Sequence, residues 1–341
     1  MSRLKAARRP RAFVTLTLHP AIDRVVELAR LTPGATESVS LRLAVPAGKG
    51  VNTARGLRRL VKGAVSACIW CGAGEADFHT AMLAEECIAT QIIARPVLTR
   101  SCITILEASG RETHLKESMP APSPKEEAAL TKALAKLKLR GACVAICGSA
   151  PPETRAKTMA RVFARLRAAD VLLADTNGPM LDAAGRAGLE GTKGNAAEIG
   201  AWLRLKRAFD PASKADRAKL RAACRATGTS LYKGRAGSAP RAVVVTLGAR
   251  GACLARADGF WVASSPPLYK GRAVSATGCG DAATAGWLWA FEQFGIRVSP
   301  EEQLRCVVAC GTAKLASADP GGLDGELARG LAKRTKVRRV E

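Results

Sequence analysis

Apolar residues fall in short runs divided by polar segments, and the runs alternate between two periods. Residues 13–18 (Phe-Val-Thr-Leu-Thr-Leu) form a nearly continuous apolar run, the pattern of a buried strand. Residues 25–45 alternate loosely and break at Pro33-Gly34, which predicts short strands and a turn. A helix is predicted over 52–61 behind a glycine-rich turn, a strand over 65–70 and a helix over 78–86. Residues 102–107 and 112–117 flank Ser109-Gly110 and predict a hairpin. Residues 124–139 have helical composition, and a buried strand at 143–147 leads into a loop at 148–152. A helix over 153–169, a strand over 171–174 and a short helix over 180–187 follow. Then come a strand over 242–247, a hairpin-like region over 252–262, and helices over 281–294 and 301–316.

Such alternation predicts an α/β fold: a mostly parallel sheet with helices on both faces. Ligands of these sheets sit at the carboxyl ends of the strands. The two early hairpin regions break the alternation and predict a small separate β-sheet, a candidate lid.

The 341 residues are 48% hydrophobic but only 4% aromatic, so the core is aliphatic and alanine-rich. No apolar run approaches the ~20 residues of a membrane span. The basic start precedes no signal-like apolar stretch, so a soluble cytoplasmic protein without a membrane partner is expected. Eleven scattered cysteines fit a reducing compartment. Cys68 and Cys71 form the one Cys-x-x-Cys, late in a strand-like run. Zinc would want a second pair or nearby histidines, so the pair reads as core packing.

The net charge of +24 is concentrated. Residues 1–12 carry +5, residues 204–241 carry +9 and residues 329–341 carry +5. These segments suit either a polyanion such as nucleic acid or a solvated surface. The second reading is preferred, because no stacking aromatics interleave with the basic residues.

The chemistry concentrates in two glycine-rich turns. In Gly278-Cys279-Gly280-Asp281 two glycines precede a carboxylate and a helix. Glycine lets amides converge, and a helix start supplies free N–H groups and partial positive charge, which together hold an anion. Asp281 would then act as a base, or else merely cap the helix. In Gly48-Lys49-Gly50-Val51-Asn52 a lysine between glycines again suits an anion. Asn52 can bond a hydroxyl or cap a helix. Asp23 follows the first strand, where it serves a polyol or a turn.

These motifs, in this order, resemble the ribokinase-like (PfkB) carbohydrate kinases, nearest to the 1-phosphofructokinase and tagatose-6-phosphate kinase branch. The resemblance runs from about residue 12 to 324 and is interrupted mainly by 204–241. Residues 15–24 are similar to the family opening, and 47–54 to its first signature. Thr99-Arg100 and the hairpin after it look like its lid. Gly148-Ser149-Ala150-Pro151-Pro152 and Asp175-Thr176-Asn177-Gly178 resemble further strand ends. Lys193-Gly194-Asn195-Ala196-Ala197-Glu198 is similar to its magnesium segment, and Thr246-Leu247-Gly248 with Gly251 to its nucleotide loop. The sequence departs from the family pattern at Ala47, Cys102, Glu153, Gly194 and Cys279. Cys102 stands where a lid asparagine is usual.

The resemblance implies a ribokinase-like three-layer kinase domain over 13–328, with a β lid from about 24–46 and 97–118. Basic tails would occupy 1–12 and 329–341, and a basic insertion 204–241. It implies ATP-dependent transfer to a sugar phosphate, with fructose 1-phosphate ahead of fructose 6-phosphate and tagatose 6-phosphate. Asp281 would be the base, and Gly278, Cys279 and Gly280 the anion hole. Asp23, Gly48, Lys49, Asn52 and Arg100 would bind substrate, with Lys49 and Arg100 on its phosphate. Lys193, Asn195, Thr246, Gly248 and Gly251 would bind nucleotide, while Asn195 and Glu198 would orient Mg²⁺ through water. The resemblance leaves room for a monovalent cation and for a homodimer paired through the lid.

Overall fold

Runs that are apolar at every position build the interior of this molecule, because each such strand is covered on both faces. The computed structural model describes Pro10 and residues 12–187, 189–226, 241–268 and 273–341. In chain order the strands are β1 (Ala12–Thr17), β2 (Ala21–Leu28), β3 (Ser40–Ala47), β4 (Ala64–Gly72), β5 (Ala89–Arg95), β6 (Ser101–Glu107), β7 (Glu112–Lys116), β8 (Ala142–Cys147), β9 (Val171–Asp175), β10 (Gly191–Asn195), β11 (Ala242–Thr246), β12 (Ala252–Arg256), β13 (Gly259–Ala263) and β14 (Val337–Arg339). The helices are α1 (Lys49–Arg58), α2 (Ala76–Glu85), α3 (Pro124–Leu134), α4 (Ala156–Leu166), α5 (Gly178–Ala187), α6 (Ala196–Trp202), α7 (Lys214–Ala226), α8 (Cys279–Phe294), α9 (Pro300–Ala313) and α10 (Gly325–Arg334).

Ten strands form one sheet in the order β14-β13-β12-β11-β10-β9-β8-β1-β4-β5. Pairing is parallel from β11 to β5 and antiparallel from β11 to β14. Alternate side chains of one strand feed two cores. Cys143, Ala145 and Cys147 of β8 join Phe13, Val51, Trp287 and Leu288 on one side. Val144 and Ile146 join Leu16, Leu130, Phe163 and Leu166 on the other. Four strands, β3-β2-β6-β7, form the separate lid sheet.

Turn chemistry sets several element ends. Ser123 with Glu126 and Ser299 with Glu302 form capping boxes, with proline at the first helical turn. The helix expected from 153 begins at Ala156, because Glu153 has φ 58°, a left-handed conformation that glycine adopts without strain. Cys68 and Cys71 both lie in β4, where burial pushes their thiols up to about 12 and about 11. Among the described residues no disulfide joins any of the cysteines.

The boundaries at the carboxyl end need correction. Residues 329–341, expected as a tail, run through the end of α10 and the edge strand β14, which pairs with β13. Within the basic insertion, 204–226 includes α7, and its cations are tied internally. Arg207 pairs with Asp216, while Arg217 and Arg221 both reach Glu341. The remainder, 227–240, and most of the 1–12 tail lie outside the described residues. Among the described residues no helix is long and apolar enough to cross a membrane.

Candidate active site

Helix α8 starts at a position that only glycine fits. Gly278 has φ 85°, and a Cβ there would lie 2.0 Å from the Pro320 carbonyl oxygen. No side chain caps this helix start. Amides of the first turn have no acceptor within their own helix, so those of Gly280 and Asp281 are available to an anion. Gly278 takes the capping position, which leaves Asp281 third in the helix rather than its cap.

The Asp281 side chain is buried, and its Oδ2 accepts a 2.8 Å hydrogen bond from Asn52 Nδ2. Burial, then the Asp175 carboxylate, pushes it up to about 7, against the opposing pull of Lys49, Asn52 and Lys193. An ordinary aspartate would be a far weaker base. Asn52 lies inside α1, whose cap is Gly48 at φ 108°; a Cβ there would meet Thr17 Cγ2 at 2.9 Å. Asn52 Oδ1 is buried and has no partner among the described residues. Thr53 Oγ1 reaches the Asp281 carbonyl at 3.3 Å, so α1 and α8 are joined at two successive residues.

Behind this pair stands Asp175, which ends β9 and is fully buried. It meets Lys193 Nζ at 2.9 Å, Lys49 Nζ at 3.4 Å and Thr284 Oγ1 at 2.8 Å. Burial raises its carboxyl, but Lys193 and Lys49 outweigh that and hold it below the usual range. Lys49 also faces Glu198 at 3.7 Å, and Asp175 chiefly keeps it charged. Lys193 is almost wholly buried, and its Nζ would lie 3.6 Å from a Cβ on Gly280. It therefore places positive charge beneath the first turn of α8.

Most residues expected on the nucleotide side lie at or just beyond the ends of β10 and β11. Asn195 caps α6 and forms a capping box with Glu198: Glu198 N–H donates to Asn195 Oδ1 at 2.9 Å, and Asn195 N–H to Glu198 Oε2 at 2.8 Å. Thr246 pairs with Asn195 across the two strands. Gly248 (φ 61°) and Gly251 (φ 97°) shape the adjoining turn, and a Cβ at 251 would strike the Ala263 carbonyl at 2.1 Å. Among the described residues no cluster of three His, Cys, Asp or Glu could hold a metal ion directly. Glu198 Oε1 and the second lone pair of Asn195 Oδ1 remain outside the capping box, and both can accept from a metal-bound water.

Asp23 and Arg100 lie on the lid side. Burial pushes Asp23 up to about 6, while Arg100, a hydrogen bond from Cys102 and Lys116 pull it back. Arg100 gives Nε to the Pro20 carbonyl at 3.1 Å, Nη2 to His19 at 3.2 Å and Nη1 to Glu117 at 3.3 Å. Cys279, in the first turn of α8, is half-buried, and burial raises its thiol.

The strand-end carboxylate Asp175 with Thr284, the buried Lys314 and the Arg55–Asp319 pair have no assigned role in the sequence reading. Asp175 was visible as an acid closing the apolar run Val-Leu-Leu-Ala. Lys314 stands alone among Thr312, Ala313, Leu315 and Ala316, and it donates to the Ser317 carbonyl at 2.9 Å. Arg55 binds Asp319 through both Nη atoms at 2.8 and 2.6 Å and Glu86 through Nε at 2.6 Å; nothing local in the sequence announces this triad.

A parallel sheet whose strand ends carry an amide-rich helix start, a buried carboxylate beside it and a β lid defines a small-molecule kinase of ribokinase-like fold. The chain belongs to the PfkB family: the model of pfkB family carbohydrate kinases matches residues 18–322. It is 29% identical over 326 residues to the 1-phosphofructokinase of Xanthomonas campestris, covering 94% of this chain and 96% of that one. It is 30% identical over 285 residues to the 1-phosphofructokinase of Rhodobacter capsulatus, covering 82% and 83%. Among solved structures, phosphofructokinase-2 from Escherichia coli in complex with fructose-6-phosphate superposes with a TM-score of 0.78 at 22% identity, covering 94% and 98%. Ribokinase from Thermotoga maritima superposes with a TM-score of 0.66 at 16% identity, covering 94% and 99%.

Proposed function

We propose that this enzyme transfers the γ-phosphoryl of ATP to a hydroxyl of a sugar phosphate, with fructose 1-phosphate as acceptor and fructose 1,6-bisphosphate as product. The observation that carries the reading is the buried Asp281, in the first turn of α8 and hydrogen-bonded to Asn52. The two 1-phosphofructokinase relatives and the Ala-Gly-Lys-Gly form of the first signature favour this acceptor over fructose 6-phosphate and tagatose 6-phosphate.

Phosphoryl transfer has a loose transition state, so the protein mainly positions groups and neutralises charge. The first-turn amides of Gly280 and Asp281 hold the oxygens of the moving group, while the Cys279 N–H donates to the Ala276 carbonyl at 3.3 Å. Asp281, raised to about 7, accepts the proton of the attacking hydroxyl. Asn52 keeps Oδ1 to accept from a neighbouring hydroxyl, and Asp23 takes another. Lys193 and Lys49 offset the charge of Asp175 and of incoming phosphate. Arg100 braces the segment that carries His19 and Pro20 and presents positive charge to the acceptor. Thr246, Gly248 and Gly251 shape the nucleotide turn. Asn195 and Glu198 would hold Mg²⁺ through its waters, and the ion would neutralise the nucleotide phosphates.

The lid also pairs two copies in this reading. Register places Val26, Leu41, Ile103, Ile105 and Leu115 on one face of the lid sheet, and Leu41 and Leu115 are exposed. Burying such side chains contributes roughly 1.5–3 kcal/mol each. Cysteines without disulfides among the described residues fit a cytoplasmic setting in this reading.

The test is ADP release with purified protein across fructose 1-phosphate, fructose 6-phosphate, tagatose 6-phosphate and free fructose. The reading expects kcat/KM highest on fructose 1-phosphate. Preference for free fructose, or ATP turnover with none of them, overturns it.

A further inference from the structure

The two cations that the sequence offers for the acceptor's phosphate are partly committed. Lys49 sits between the carboxylates of Asp175 and Glu198. Arg100 keeps its charge but gives three of its five N–H groups to main-chain carbonyls. A doubly charged phosphate bound beside Asp23 has room for a second cation with its donors uncommitted.

Strand pairing supplies one. Cys102 of β6 lies opposite Asp23 on one side and opposite Lys116 of β7 on the other. Directly paired residues project from the same face of a sheet, so Asp23, Cys102 and Lys116 form one row. That face looks toward the main domain. Val25, Glu27, Thr104, Leu106 and Glu112, of the same alternation, line a cavity of about 240 Å³ with Thr277 and Pro320 opposite. The charge of Lys116 favours the anionic forms of Asp23 and Cys102, against the burial that raises both. It is exposed, and no hydrogen bond or ion pair engages it among the described residues.

Among the described residues the far end of the face holds no uncommitted cation. Glu27, Glu107, Glu112 and Arg42 border the cavity there, two rows beyond, and Arg42 is paired with Glu27 and Arg111 with Glu107. The row that holds Lys116 is the part of this face with an unpaired positive charge for a phosphate. The position also complements Cys102. A thiol bonds a sugar phosphate poorly, and the neighbouring strand offers an ammonium in compensation.

Building on the sugar-phosphate reading, we propose that Lys116 binds the phosphate already present on the acceptor and so selects a phosphorylated sugar over a free one. The test compares wild type, Lys116→Met and Lys116→Arg on fructose 1-phosphate, fructose 6-phosphate and free fructose, with KM for ATP measured alongside. Lys116→Met is expected to raise KM for the preferred sugar phosphate roughly 10- to 100-fold, the scale of one charged hydrogen bond. KM for ATP stays within about twofold, and Lys116→Arg recovers most of the loss. An unchanged acceptor KM in Lys116→Met, or equal rises for acceptor and ATP, overturns the assignment while the kinase reading stands. Wild-type protein inactive on every sugar phosphate overturns the kinase reading and the assignment with it.

Discussion

Replacing Asp281 by asparagine should slow the enzyme and stabilise it, and the two effects have one cause. Burial and the nearby Asp175 raise the Asp281 carboxyl from 3.8 to about 7. At about 1.4 kcal/mol per tenfold change, that lift corresponds to ~4 kcal/mol held against the folded state when the group is charged. The sign follows from the two pKa values. In the unfolded chain the carboxyl ionises near ~3.9, whereas in the fold it keeps its proton until about 7. Native stability from this group is therefore full below about pH 4, falls as pH rises to about 7 and is constant above. Asparagine is neutral throughout and can still accept from Asn52 through its own Oδ1. Unfolding of both proteins by urea at pH 4.5 and pH 8.5 reads the gap between them. The variant should gain about 2–4 kcal/mol on the wild type between those pH values, while turnover falls by roughly two to four orders of magnitude. A gap that stays constant or narrows with rising pH would refute the electrostatic argument, and near-normal turnover would remove Asp281 from the role of base.

For the wild type, kcat/KM should rise with pH to a plateau through an apparent pKa near 7, because the proposed base acts as the ionised carboxylate. Asp175→Asn should move that limb toward acid, since it removes a repelling charge and frees two lysines; a limb that stays in place argues against the coupling. Gly278→Ala should lose at least ~2 kcal/mol of stability and most activity, because the added methyl collides with the Pro320 carbonyl 2.0 Å away; thermal melts and turnover check both. Leu41→Glu with Leu115→Glu should convert a dimer to a monomer in size-exclusion chromatography with scattering detection, and an unchanged mass would exclude pairing through the outer lid face.

The interior of the sheet and both glycine turns were legible because their signals are local. An apolar run such as 143–147 has one economical home, and a glycine pair before a carboxylate leaves few alternatives. The pieces that escaped notice lack such signals. Strand β10 reads Gly-Thr-Lys-Gly-Asn, with no apolar side chain, and it is held by its neighbours β9 and β11 rather than by its own propensity. β14 consists of Val-Arg-Arg, an edge strand whose charge suggests a tail. Charge is likewise why α7 and the end of α10 were read as solvated segments. Within the site, residue types were readable but pairings were not. Lys49 and Arg100 looked like free cations, and their partners Asp175, Glu198 and the carbonyls of residues 19, 20 and 117 come from distant parts of the chain. The basicity of Asp281 had the same origin, since desolvation and the charge of a residue 106 positions away set it.

The Arg55 fork gives the cleft a mechanical logic. Its bidentate grip on Asp319 couples the helix bearing Asn52 to the loop whose Pro320 carbonyl backs Gly278. The proposed acceptor grip and amide cradle are thus bolted to one chassis, and a shift of either drags the other along. Tolerance to drift is set far from the chemistry, in a side chain that touches neither sugar nor nucleotide.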